Sequence, residues 1–117
     1  MEINRTWAKI IGIVLLLVGI AGFFAPGGML LGFQVNMLHN VVHLITGAIF
    51  AWAGFSASAP TKKINLIFGI IYLLIAILGF VPGVDVMLNS LLATNMADHI
   101  LHLAIGVISV AIGWKAD

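Results

Sequence analysis

The sequence predicts an all-α integral membrane protein: a four-transmembrane-helix bundle made from two tandem, parallel helical-hairpin repeats. Composition, the spacing of apolar stretches and an internal repeat carry this reading. The chain has 117 residues, is 62% hydrophobic and only 8% charged, with a mean hydropathy of +1.22. A water-soluble domain of that length needs more polar surface to cover its core, so lipid is the expected solvent. Four stretches, about 7–25, 36–56, 64–81 and 95–114, approach the roughly twenty apolar residues that cross a hydrocarbon core. The segment Asn36-Met37-Leu38-His39-Asn40-Val41-Val42-His43-Leu44 returns 59 residues later as Asn95-Met96-Ala97-Asp98-His99-Ile100-Leu101-His102-Leu103.

Each span ends at helix-breaking chemistry. The breaks are Pro26-Gly27-Gly28, residues 56–63 around Pro60, and Pro82-Gly83. No long polar linker separates the spans, so 1–117 reads as one transmembrane domain, with repeat 1 at about 6–57 and repeat 2 at about 63–115. The repeat register continues through Gly47/Gly106 and Gly54/Gly113, and Phe24–Gly27 matches Phe80–Gly83. Two spans per copy give both copies the same orientation, related by a pseudo-twofold axis along the membrane normal. The apolar connections near Met29–Phe33 and Val84–Leu88 suggest short interfacial helices. The N-terminal stretch looks superficially like a signal peptide, but Phe23-Phe24-Ala25-Pro26 is a poor cleavage site, so it is expected to remain as a helix.

Basic residues set the expected orientation. Arg5, Lys9, Lys62, Lys63 and Lys115 fall on one side, while residues 26–35 and 82–94 contain no Lys or Arg. By the positive-inside rule both termini are cytoplasmic and the histidine motifs lie near the outer face, in a prokaryotic cell membrane. Trp7, Trp52 and Trp114 fit interfacial anchors. A net charge of +1 speaks against nucleic acid. The absence of cysteine removes thiolate metal ligands and thiol nucleophiles. No Ser/His/Asp pattern, phosphate-binding loop or carboxylate pair is present, so the expectation is a non-enzyme.

Residues three, four or seven apart share a helix face. Asn36, His39, His43, Gly47 and Gly54 form one stripe on the second span, and Asn95, Asp98, His102, Gly106 and Gly113 repeat it on the fourth. These spans are therefore expected as neighbours, with their polar ends converging and His99 on the same broad side. Asn36 and Asn95 stand where helices start and suit N-caps. Asp98 suits the positive end of the helix dipole and can orient an imidazole.

Three readings of the histidines compete. In the first they are structural, held with Asn36, Asn40, Asn95, Asp98 and Thr46 in a hydrogen-bonded cluster between helices. In the second, His39 and His43 grip a transition metal with His102, His99 or Asp98. A variant of the second places a b-type haem between His43 and His102, with Gly47 and Gly106 leaving room for the ring. In the third, the imidazoles relay protons or ions.

The motifs Asn36-x-x-His39-Asn40-x-x-His43-Leu44 and Asn95-x-x-Asp98-x-x-Leu101-His102-Leu103, with the Phe-x-Pro-Gly turns, resemble the small membrane proteins of domain-of-unknown-function family 4383. The resemblance covers nearly the whole chain and implies a four-helix membrane protein without an assigned activity. It carries over Asn36, His39, Asn40, His43, Asn95, Asp98 and His102 as motif residues. His99 stands where Asn is expected by analogy with Asn40. The function expected from the sequence is a non-enzymatic accessory or assembly role in the lipid bilayer, within a homo-oligomer or larger membrane complex. Metal or haem binding is the alternative, and proton or ion transport ranks behind it.

Overall fold

The computed structural model describes residues 2–115 of the chain, and helices dominate it. Helices α1 (Glu2–Gly22), α2 (Met37–Phe55), α3 (Thr61–Gly79) and α5 (Met96–Lys115) contain 19 to 21 residues each. At 1.5 Å per residue they are about 28–32 Å long, close to a bilayer's hydrocarbon thickness. All four are long and apolar enough to cross a membrane. Two begin earlier than hydropathy suggests, because backbone hydrogen bonding continues through a polar first turn. Thus α1 takes in Arg5, and α3 takes in Lys62 and Lys63. Pro60 immediately precedes α3, where its missing N–H costs nothing.

The connections that join these helices at the histidine end differ from one another. After α1 comes a single 3₁₀ turn, Pro26–Gly28, and then a two-residue antiparallel hairpin, β1 (Met29–Leu30) with β2 (Phe33–Gln34). The interfacial helix expected here is absent. Gly27, Gly28, Leu31 and Gly32 all have positive φ, between 52° and 88°, which no right-handed helix accommodates. Positive φ at both Leu31 and Gly32 is what a tight two-residue hairpin loop requires. The second connection does hold a short helix, α4 (Val84–Leu92), ended by Ala93 at φ 51°.

Glycine makes the hairpins. α1 lies antiparallel on α2, and α3 on α5, with backbones almost touching. A Cβ at Gly12 would sit 2.5 Å from the Ala51 nitrogen, and one at Gly47 2.8 Å from that of Leu16. In the other hairpin a Cβ at Gly106 would sit 2.6 Å from the Leu73 nitrogen, and one at Gly69 2.9 Å from that of Val110. Near the opposite end, Gly54 abuts Lys9 and Gly113 abuts Leu66. Small residues that let helices approach this closely are a recurrent means of holding membrane helices together. The expectation that α2 and α5 are direct neighbours needs correction: their backbones rest on α1 and α3, and they meet chiefly through side chains.

Between the hairpins runs a seam of both kinds of contact. Phe50 and Phe68 meet edge to face with centroids 5.9 Å apart, beside buried Ala8, Ile11, Leu15 and Ile105. Polar side chains bridge at separate levels. The Tyr72 and Thr46 hydroxyls are 2.7 Å apart, the Trp7 indole N–H donates to Ser109 Oγ at 2.8 Å, and the Asn65 amide donates to Asn4 Oδ1 at 3.0 Å. Trp7 thus points inward and is not the free interfacial anchor expected, whereas Trp52 and Trp114 are exposed. The outward faces carry Ile10, Leu17, Ile45, Ile70, Leu74 and Ile100, while Asn4, Thr61, Asn65 and Ser109 are buried.

Gly47→Leu and Gly106→Leu are expected to destabilise the protein by about 1–3 kcal/mol or more, since the added side chain meets backbone that has no room to give. Ala48→Leu, on the exposed face of α2, should change little. Thermal unfolding midpoints of the detergent-purified proteins check this contrast.

Candidate metal centre

The site is built on two helix starts. Asn36 caps α2: its side-chain oxygen accepts the His39 backbone N–H at 2.8 Å. At α5 the arrangement is reciprocal. Asn95 Oδ1 accepts the Asp98 N–H at 3.1 Å, and Asp98 Oδ2 accepts the Asn95 N–H at 3.0 Å. This double satisfaction of orphan donors is the capping-box solution, formed here by Asn and Asp. Both asparagines have a second task. The Asn36 amide donates across the hairpins to the Leu91 carbonyl at 3.2 Å, and the Asn95 amide to the Gly32 carbonyl at 3.1 Å. Asp98 Oδ2 also accepts the Gln34 N–H at 3.1 Å, tying β2 to α5. The connecting segments are therefore sewn to each other directly above the histidines.

Beneath that lid three imidazoles converge. His39 and His43, one turn apart on α2, have their Nε2 atoms 3.2 Å apart. The His102 ring from α5 lies 5.7 Å from that of His39 and 5.9 Å from that of His43, centroid to centroid. Each of the three offers one ring nitrogen such that all lie within 4.8 Å of one another, and all three residues are buried. Asp98 approaches from the side, its Oδ1 4.0 Å from His39 Nε2. Tyr72 closes the floor, its ring 5.4 Å from that of His102.

Most of the polar capacity of this cluster is unused by protein. Nδ1 of His39, Nδ1 of His43, both nitrogens of His102 and Oδ1 of Asp98 are buried without a hydrogen-bond partner. A neutral imidazole has one donor and one acceptor nitrogen, and each buried group left unpaired costs about 1–3 kcal/mol. Of the partners that a purely structural cluster would use, Thr46 is engaged elsewhere and Asn40, whose own Oδ1 has no partner, turns to α1. Thr46 Oγ1 bonds to the Val42 carbonyl at 2.9 Å and to Tyr72. Asn40 is buried against Gly22 of α1.

The remaining residues singled out in the sequence fall away from the centre. His99 packs on Gly79 of α3, in the same way that Asn40 packs on Gly22. Gly47 and Gly106 lie against the backbones of α1 and α3 and so leave no slot beside the imidazoles for a macrocycle. Sequence reasoning missed Tyr72 and Gln34. Tyr72 is the single tyrosine of the chain, and its isolation in an apolar run was the available signal. Gln34 acts through its backbone, which leaves no trace in residue type.

The paired motifs that build this site lie within the region that matches the family "Domain of unknown function (DUF4383)", residues 5–115. The chain belongs to that family. No curated protein and no solved structure matches it. The DUF4383 match takes in all four long helices except the first turn of α1, and every residue of the cluster. It assigns the chain no activity.

Removing an N-cap asparagine costs roughly 1 kcal/mol, and here each also carries a bond between the connections. Asn36→Ala and Asn95→Ala should each lower stability by about 1–2 kcal/mol. Asp98→Ala, which releases two backbone N–H groups at once, should cost more than either. Unfolding in mixed micelles with increasing denaturing detergent ranks the three variants.

Proposed function

We propose that this DUF4383 protein is a non-enzymatic integral membrane protein that holds one transition-metal ion between its two hairpins. His39, His43 and His102 supply nitrogen ligands and Asp98 an oxygen. The convergence of three buried imidazoles, with both His102 nitrogens and Asp98 Oδ1 unpartnered beside them, is the observation that carries the reading. Metal–nitrogen bonds of 2.0–2.1 Å in a tetrahedron place ligand nitrogens about 3.3 Å apart. The 3.2 Å between His39 and His43 already meets that spacing, and a small inward rotation of His102 completes it. Three imidazoles with one carboxylate suit zinc, and also copper or iron. A tetrapyrrole fits less well, because the glycines that would free space for it are filled by neighbouring helices.

The same reading includes a tandem duplication with the hairpins parallel. Its support is the equivalence of contacts: Gly47 on Leu16 matches Gly106 on Leu73, and Gly22 on Asn40 matches Gly79 on His99. The amides of Asn36 and Asn95 each reach a carbonyl of the other hairpin's connection, Leu91 and Gly32. A pseudo-twofold axis passing between His43 and His102 accounts for both pairs. With Arg5, Lys9, Lys62, Lys63 and Lys115 at the other end, the metal site faces the non-cytoplasmic side. An accessory role in a larger complex or homo-oligomer remains compatible with an ion-bearing subunit. It no longer draws on the helix-face glycines, which are used inside the molecule.

Protein purified in detergent, loaded with zinc or cobalt(II) and desalted, should retain one ion per chain by elemental analysis. The cobalt form should show the strong visible bands of tetrahedral coordination. His43→Ala/His102→Ala should retain none, and Asp98→Asn should bind roughly 10–100-fold more weakly. Equal retention by the double variant and the wild type sinks the proposal, and a Soret band in the purified protein replaces the ion with a tetrapyrrole. For orientation, single cysteines at Ser58 and Ser90 should label from opposite sides of intact cells, the latter from outside.

A further inference from the structure

A pocket of about 310 Å³ opens at the histidine end between α3, α4 and the start of α5, lined in part by Gly79, Asp85, Asn89, Thr94, Asn95 and His99. Its walls are rich in acceptors with capacity to spare. One carboxylate oxygen of Asp85 accepts the Gly83 N–H at 2.9 Å, which leaves the other oxygen for a ligand. The Asn89 amide nitrogen donates to the Thr94 carbonyl at 2.7 Å and to Gln34 Oε1 at 3.1 Å, so its own oxygen remains available. The Thr94 hydroxyl and His99 Nδ1 are buried without a partner, in residues only 3% and 4% exposed. A carboxylate, an amide oxygen, a hydroxyl and an imidazole gathered around one small space suit a partly hydrated divalent cation.

One lining residue of this pocket, His99, belongs to the same helix as His102 of the three-histidine cluster. His99 and His102 are three residues apart on α5, so their side chains are neighbours on its surface. Facing them, α3 presents Gly79, the fully buried Ala76, and then Tyr72, whose ring touches that of His102. With small residues at Gly79 and Ala76, the two imidazoles are the polar groups along this stretch of the α3–α5 interface. The His99 ring sits directly on Gly79, so a Cβ there would collide with it. The absence of that Cβ is what lets the ring lie against α3, beside the Phe80 ring at 5.8 Å between centroids.

We propose that His99 is the intake ligand of the metal centre. A divalent cation collects in the pocket beside Asp85, exchanges a water for a His99 nitrogen, and passes on to His102, three residues further along α5. This rests on the metal-centre reading above and adds its route. It also gives a role to the imidazole that stands where the first repeat has Asn40, a side chain that packs on Gly22.

Stopped-flow absorption of cobalt(II) uptake by the apo-protein in detergent reads the rate, and equilibrium titration of the same samples reads the centre. His99→Ala and His99→Asn should load at least tenfold more slowly while still reaching one ion per chain at unchanged affinity. Gly79→Ala, whose Cβ would push the His99 ring out of its place, should slow loading similarly, and Asp85→Asn, at the pocket wall, severalfold. Helical circular dichroism identical to wild type qualifies each variant, and Asp85→Asn remains informative if the buried changes misfold. Wild-type loading rates in His99→Asn and Asp85→Asn overturn the route while leaving the centre intact. A wild-type protein that retains no cobalt removes both, and the titration distinguishes the two failures.

Discussion

Backbone contact at glycine is the constraint on which the other features rest. Where Gly12 and Gly47 meet across α1 and α2, and Gly69 and Gly106 engage α5 and α3, no side chain separates the helices. Lipid gives apolar side chains little reason to leave it, so association depends on dispersion contact and hydrogen bonding rather than on burial of apolar area. Close approach maximises both. It also spends the glycine faces of α2 and α5 inside their own hairpins, leaving the histidine-bearing flanks to meet the other hairpin.

That division explains the inverted polarity of the protein. Large aliphatic residues such as Leu17, Ile45 and Ile100 cover the outside, and most of the strongly polar side chains of the spans turn into the seam between hairpins. Each level of the seam joins one hairpin to the other: Asn4 with Asn65, Trp7 with Ser109, Thr46 with Tyr72, and the imidazoles at the end. The first three levels are hydrogen-bonded pairs, with the Asn65 Oδ1 at the first of them left without a partner. The imidazole level is different, because its nitrogens outnumber the partners that protein provides. Buried polar groups are ordinarily satisfied, and the largest departure from that rule in the seam is this cluster.

Much of the fold was legible in the sequence, and for identifiable reasons. Apolar runs bounded by Pro26, Pro60 and Pro82 located the four long helices, because lipid imposes a length and an uninterrupted hydrogen-bonded backbone. Asn36 and Asn95 announced helix starts by residue type alone, and both do cap. The connections were harder. Met29–Phe33 and Val84–Leu88 are equally apolar, yet one closes as a β-hairpin and the other as a helix. The difference lies in left-handed backbone at Gly27, Gly28, Leu31 and Gly32, which hydropathy does not register.

The sequence by itself determined that this is a four-helix chain suited to lipid, belonging to DUF4383, with its histidines gathered at one end of two matching segments. Those features depend on residue type and spacing, which are local quantities. Only the tertiary structure decided that Gly47 and Gly106 face α1 and α3, that His99 turns to Gly79 while His102 turns to His39 and His43, and that Trp7 points inward. A helix offers several faces at once. Which of them meets which neighbour is set by where backbones can touch and where polar groups can find one another across the seam.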